Sequence, residues 1–558
     1  MNRNRNFPTR TLIAACATAA ALAAPAVASA TDRWVDTDTG TDGGNSCTVQ
    51  ATPCKTINHA TTSSQMAGDA GTIHVDQGTY AEQVSNLAQT NHLMADDFVA
   101  GDSGATTIDG GNGIALAVQV NASASGFEIR SNTIGSVVFA TDNATVYGNT
   151  ITAKGANSKA VEVFPSSGTT TVRENTILAD SGDEDYGIVV DQNVANAVIR
   201  DNEIGESRDG FAFGVTVKAG SKALVDGNTI LGSRKDGGIQ GKGIEIDGAD
   251  QVTVSDNLVT EPMLGAGNES YGIDIENLSE TDTVALERNQ VLAMSGIGLT
   301  VSDAAGTITS AGDIVAGNSD RAMYIGGADV TLTNDTVVGI QPVQVNTATL
   351  TVDSSILDVP ISSSGGAVSC EITYSRGPAI VEGGNGCGEF QTTADPQFVA
   401  TNVLDYHLKP SSPLIDMGNP AAPAPGAVDI DGDARALEGD GACPRDSRRD
   451  MGADEVVATF ADCPVVVPPP AKDETAPESG IVGKRKQFGT KARFTLTSTE
   501  EGSSFECRLD RGKFAPCKAN YRSRNLNLGR HTLFVRATDA AGNTDATPVA
   551  KKFKLRAA

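Results

Sequence analysis

From Asn132 to Ser355 one short phrase recurs ten times: apolar, any, apolar, two residues, a pivot, one residue, aliphatic. The pivots are Asn132, Asn149, Asn175, Asn202, Asn228, Asn257, Asn289, Asp313, Asp335 and Ser355. Two residues after them stand Ile134, Ile151, Ile177, Ile204, Ile230, Val259, Val291, Val315, Val337 and Leu357. Repeats of this length cannot bury an apolar face alone, so they stack and share one continuous core. Residues 243–273 show the internal order of a repeat. A period-two strand Gly243-Ile244-Glu245-Ile246-Asp247 is followed by Val252-Thr253-Val254, the pivot Asn257, Leu258-Val259, a variable loop, and then Gly272-Ile273-Asp274-Ile275. Three short strands per turn, stacked at about 4.8 Å, put Ile on Ile and backbone against backbone. The expected class is all-β: a three-sided parallel spiral of coils, followed by a small β-sandwich.

The pivot has a physical role in this reading. A tight corner between strands needs a left-handed backbone, which Asn tolerates. Its amide donates and accepts, so stacked copies can hydrogen-bond up the column. Asp313 and Asp335 lose that ability when ionised, which predicts a weaker stack beyond Asn289.

These Gly-Ile strands and pivot-Asn phrases resemble the right-handed parallel β-helix repeats of the pectin-lyase-like superfold, over residues 31–387. The resemblance implies a fold far more than a reaction, because that superfold hosts lyases, hydrolases, phage tailspikes and adhesins. It also implies that ligands lie on the outer face of the Gly-Ile strands, walled by the variable loops. Open ends of such a stack need covers. Thr56 to Ala67 reads as an amphipathic helix over the first coil. At the other end, residues 388–463 carry Asp395-Pro396-Gln397-Phe398, Asp405-Tyr406-His407-Leu408, Ser412 to Gly418, Asp429-Ile430-Asp431-Gly432 and Asp450 to Glu455. This stretch is similar to the C-terminal module of the choice-of-anchor Q proteins, and is expected to cap the coil. A Pro-rich linker, 464–478, leads to residues 479–558, which resemble bacterial immunoglobulin-like sandwiches.

The ends and the charge bound the compartment and partners. Residues 1–30 read as an export signal: Arg3, Arg5 and Arg10, an Ala/Leu-rich stretch, and the cleavage site Ala28-Ser29-Ala30. No later segment reaches the roughly 20 apolar residues of a membrane span. The expected location is extracellular, with surface association left open. Eight cysteines then remain and fall into local couples, Cys47 with Cys54, Cys370 with Cys387, Cys443 with Cys463, and Cys507 with Cys517. Residues 472–558 carry 18 Lys/Arg against 9 Asp/Glu, which leaves the rest of a chain of net charge −27 at −36. An acidic body of that size repels nucleic acid. Nothing in the sequence specifies an oligomeric state.

The longest loops stand beside one patch of the Gly-Ile face. With Ile and Val inward, the outward pairs on successive coils are Val189/Asp191, Thr216/Lys218, Glu245/Asp247, Asp274/Glu276 and Gly298/Thr300. Four carboxylates, Glu245, Asp247, Asp274 and Glu276, crowd together with Lys218 and Asp191 next in the column. Separations of about 5–9.5 Å suit a glycosidase acid/base pair. The same oxygens suit Ca²⁺, with Lys218, Arg208 or Arg234 as a base for β-elimination. A solvated acidic face is the third reading. Tyr186, Phe213 and Tyr271 each precede the Gly of such a strand and form either a sugar-stacking ledge or a buried stack. Asp429, Asp431 and Asp433 alternate beside Gly432 and offer a structural Ca²⁺ loop. The sequence thus points to a protein binding extracellular polysaccharide or cell-wall glycan, and alternatively to a polysaccharide lyase or glycoside hydrolase.

Overall fold

A computed structural model describes residues 31–68, 70–87, 91–96, 105–119, 121–155, 157–179, 185–205, 212–232, 241–260, 270–363, 368–378, 389–421, 427–435, 448–456 and 475–557. It divides into two compact units, Met1–Ala458 and Thr459–Ala558. In the first unit three long sheets run side by side: one of 14 strands and two of 12, every pairing parallel and every neighbour one coil away. This is a three-sided parallel β-helix. One α-helix, Ile57–Ala67, lies at its start; Thr56 caps it by accepting from His59 N–H, and the Cys47–Cys54 disulfide lies beside it in the sequence.

Each coil follows the order read from 243–273. Gly241–Asp247 belongs to the Gly-Ile sheet, Gln251–Ser255 to the 14-stranded sheet, and Leu258–Thr260 to the third. Registration is residue on residue: Ile244 pairs with Ile273 and Ile246 with Ile275. All four are 0–2% exposed, and burying each such side chain contributes roughly 1.5–3 kcal/mol. The Gly of the strand has a packing cause. A Cβ on Gly243 would lie 2.6 Å from Gly272 O and 2.4 Å from Val259 Cγ1; one on Gly272 would lie 2.5 Å from Gly298 O and 2.1 Å from Val291 Cγ1. The bend into this strand brings the next coil too close for any side chain.

Two expectations about the pivots change. Nine of the ten aliphatics are 0–2% exposed, but Ile134 is 82% exposed. In that coil Ile129, not Ile134, pairs with Ile151, so the true corner is Phe127 and the Asn132 phrase is an out-of-register copy. The left-handed residue is also not the pivot but the one before it. Gly126, Gly148, Glu174, Asp201, Gly227, Asp256, Arg288, Gly312, Asn334, Ser354 and Tyr374 all have φ between 45° and 84°. The pivot itself supplies the ladder. Asn175 N–H and Nδ2 both donate to Asn202 Oδ1, at 3.1 and 3.0 Å, and Nδ2 also donates to Val146 O and Arg173 O. The same linkage runs from Asn149 to Asn289, then through Asp313, Asp335 and Ser355 to Ser375.

The described residues of 398–421, 427–435 and 448–456 pack along the last coils, including Ile356 of the final strand of the third sheet. These described residues lie against the outer face of the third sheet. Leu292 and Ile314 of that sheet meet Tyr406 and Ala453, with Phe398, Leu404 and Ile430 around them. Asn334 Nδ2 donates to Asp450 O at 2.8 Å, and Ala453 N–H to Thr336 Oγ1 at 2.9 Å. The cause is the third sheet itself: Leu258, Leu292, Ile314 and Val338 point outward there and would otherwise face water.

The second unit has a five-stranded and a three-stranded sheet enclosing Phe494, Leu496, Phe505, Leu533, Val535, Phe553 and Leu555. Cys507–Cys517 joins two of its strands. Of the remaining cysteines, Cys370 is disulfide-bonded, while Cys387, Cys443 and Cys463 lie outside the described residues, as do residues 1–30.

Candidate functional site

The outward face of the Gly-Ile sheet carries three aligned columns. The first runs Lys159, Tyr186, Phe213, Lys242, Tyr271, Ile297. The second runs Glu162, Val189, Thr216, Glu245, Asp274, Thr300. The third has Asp191 one residue past its strand, then Lys218, Asp247, Glu276 and Ser302. The fifth outward pair is therefore Thr300/Ser302, two residues beyond the expected Gly298/Thr300, because Leu299 and Val301 take the inward places.

Three of the four carboxylates, Glu245, Asp274 and Glu276, meet around a residue that the sequence reading missed, while Asp247 stands apart from that group. Lys242 Nζ lies 2.6 Å from Glu245 Oε1, 2.7 Å from Asp274 Oδ2 and 3.0 Å from Glu276 Oε1. The signal was present: Lys242 is one residue before the Gly, the position of Tyr186, Phe213 and Tyr271, and three before Glu245. Lys159 and Glu162 repeat the arrangement at the same i,i+3 spacing. Glu245 also accepts from Thr216 Oγ1 at 3.1 Å, and Asp247 from Asn277 Nδ2 at 2.7 Å. Lys218, the register neighbour of Asp247, pairs with Asp191 at 3.3 Å. Arg208 and Arg234 lie outside the described residues.

The electrostatics follow from one ammonium shared among three carboxylates. Burial works to discharge Lys242, but Asp274 and Glu245 outweigh it and hold the amine above its usual range. Burial pushes the Asp274 carboxyl up; Lys242 opposes this only in part, and Glu276 and Glu245 add to the rise. The lysine is thus held charged while Asp274 is under-compensated. Glu245, Asp274 and Glu276 are close enough to share a metal ion, but the ammonium already occupies the middle of the group. An ammonium held above its usual range in this way serves as a donor and a positive charge for the three carboxylates rather than as a base.

Tyr186 and Phe213 are half-buried and stack at 4.5 Å with planes 9° apart. Lysines flank the pair in the column, Lys159 before and Lys242 after, and Lys242 separates it from Tyr271. Phe139 and Phe164 touch at 4.3 Å on the preceding coils.

The Asp429 loop is organised by backbone. Asp429 is buried, and its carboxylate accepts N–H groups from Asp431 at 3.0 Å, Asp433 at 2.7 Å and Glu455 at 2.9 Å. Asp433 is exposed, and Asp431 turns toward His407 Nε2 at 3.0 Å.

Among the described residues no helix is long and apolar enough to cross a membrane. The described disulfides fit an oxidising compartment. Residues 211–337 match the family described as right handed beta helix region, and residues 101–269 match periplasmic copper-binding protein (NosD). No curated protein matches the chain. A solved structure titled Dettilon tailspike protein (gp208) aligns at 11% identity and a TM-score of 0.28, over 91% of this chain and 78% of that one. The matched stretches cover the coils that carry the outer-face columns, and they agree with the sheets in making this part of the chain a right-handed parallel β-helix.

Proposed function

We propose that the protein is a secreted or cell-surface β-helix that binds extracellular polysaccharide along the outer Gly-Ile face between Lys159 and Tyr271. The carrying observation is the stacked pair Tyr186 and Phe213, flanked in the same column by Lys159 and Lys242 with carboxylates one column away. Flat aromatic faces supply apolar area at low entropic cost, and flanking charges offer donors and acceptors to hydroxyl or uronate groups. The column from Lys159 to Tyr271 spans four coil steps, about 19 Å, enough for an extended glycan rather than a single sugar. Residues 1–30 acting as an export signal, residues 398–456 as a choice-of-anchor Q-like module and residues 479–558 as an immunoglobulin-like spacer belong to the same proposal.

Affinity electrophoresis against a panel of neutral, uronic-acid and phosphorylated polysaccharides tests it. Retardation by at least one glycan, weakened about tenfold or more in Phe213→Ala and Tyr186→Ala, is the expected result. Unchanged binding in both variants would sink this reading. A polysaccharide lyase or hydrolase is the second reading, favoured by the raised Asp274 carboxyl beside Glu245. New reducing ends or unsaturated uronate products, lost in Asp274→Asn, would replace binding with catalysis.

A further inference from the structure

We propose that His407, Asp431 and Asp454 form a binding site for a divalent transition metal ion of the Zn²⁺ class. It would join three segments of the module on the flank of the coil. The ligands come from the strand Asp405–Leu408, the 429–433 loop and the Asp450–Glu455 segment. One atom from each lies within 4.8 Å of the others.

Three features distinguish this group from an ordinary acidic turn. His407 Nε2 is buried and makes no hydrogen bond, although Asp431 Oδ2 is only 3.0 Å away. The oxygen is near but off the N–H direction. Two atoms bound at about 2.0–2.2 Å to one tetrahedral ion stand in this relation, separated by roughly 3.3 Å. On the other side of the ring, Asp405 Oδ1 lies 2.6 Å from Nδ1. That contact holds a proton on Nδ1, so that when the ring is neutral the Nε2 lone pair faces the two aspartates, the carboxylate–histidine arrangement that orients metal-bound imidazoles. Asp454 is fixed as well, its Oδ2 accepting from Leu408 N–H at 2.7 Å. His407 and Asp431 already stand at a liganding separation, while Asp454, within 4.8 Å of them, would draw in by up to about 1.5 Å to reach the roughly 3.3 Å of a tetrahedral pair, and positions remain open for water.

One imidazole with two carboxylates selects a borderline transition ion over Ca²⁺, which takes oxygen ligands alone. Without metal, the same carboxylates favour protonated His407. Burial opposes that charge, but Asp405, Asp431 and Asp454 outweigh it and raise the imidazole above its ordinary range.

The test is calorimetric titration of the EDTA-stripped full chain with Zn²⁺, with Ca²⁺ in a parallel arm. Near-stoichiometric Zn²⁺ binding that is lost in His407→Ala and Asp431→Asn, and kept in His531→Ala, is expected. Asp405→Asn keeps all three ligands and should weaken Zn²⁺ binding about 10–100-fold. It separates a positioned site from general loss of structure, and circular dichroism of each variant checks the fold. Co²⁺ in place of Zn²⁺ gives visible absorption bands that should vanish in His407→Ala. No Zn²⁺ binding in the micromolar range, binding unaffected by His407→Ala, or equal affinity for Ca²⁺ would each overturn the proposal.

Discussion

Asp313 donates its backbone N–H to Asp335 Oδ1 at 2.8 Å, so two fully buried carboxylates stand one coil apart in a column built by amides before them and by serine hydroxyls after them. Burial lifts Asp313 to about 6, and lifts Asp335 well above the ordinary carboxylate range with the help of Asp313. Asp335 Oδ2 has no hydrogen-bond partner, whereas the amide NH₂ of the Asn pivots donates twice or more.

Both folded-state values are raised, so the pair stabilises the fold at low pH, and that stability is lost as pH rises through about 6 and above. Asp335→Asn replaces the orphaned oxygen with a donor and should stabilise the coil by about 1–2 kcal/mol at pH 8, with a smaller gain at pH 5. Thermal unfolding at the two pH values measures it; an equal gain at both would remove the carboxylate explanation. Native-state hydrogen exchange should be faster in coils 313–357 than in 149–289, and Asp335→Asn should narrow the gap.

Lys242→Met leaves Glu245, Asp274 and Glu276 without their shared ammonium. A loss of about 2–4 kcal/mol is expected, larger at pH 8 than at pH 5 because protonated carboxyls no longer repel. Lys242→Met/Asp274→Asn should recover part of it. Urea midpoints of the single and double variants test the coupling.

Two glycine replacements separate backbone strain from steric exclusion. Gly148 has φ 63° and nothing within 4 Å of an added Cβ, so Gly148→Ala should cost only the left-handed penalty, about 1 kcal/mol. Gly243→Ala drives a methyl into the next coil's carbonyl and should cost more than about 3 kcal/mol. Similar losses at both positions would mean that the coils open readily.

Asp450 is pushed up to about 8 by burial and by Glu455, against the N–H groups of Val456 and Asp416 that it accepts. Its raised value makes docking of residues 398–456 strongest at low pH and weaker as pH rises through about 8. Limited proteolysis of this module at pH 6 and 9 should show faster cleavage at 9, with the difference reduced in Asp450→Asn.

Much of the fold was legible because it is local and repeated. The spacing from Asn149 to Leu357 records a physical period: inward aliphatics every coil, an amide every corner, and Gly where adjacent turns touch. Asn132 misled because the phrase alone cannot show register, and Ile129 competes for the same inward place three residues after Gly126 turns the chain. The left-handed corner was assigned one residue late, since Asn favours positive φ while Glu174 and Arg288, which adopt it here, carry no sign of it.

The acidic face could be placed by counting inward and outward residues, which set Glu245, Asp274 and Glu276 side by side, whereas Asp247 bonds Asn277 instead. Lys242 escaped because it precedes the Gly, outside the Ile/Val alternation that marks the strand in the sequence, although the strand already begins at Gly241. His407 and Asp454 escaped for a different reason. They are 47 residues apart, outside the repeats, and no periodicity relates them. The sequence by itself determined the coil, because stacking depends on each repeat meeting a copy of itself. Only the tertiary structure decided which charges share one ammonium, where the 398–456 module docks, and that Asp431 faces a histidine, because those contacts join segments that obey no common repeat.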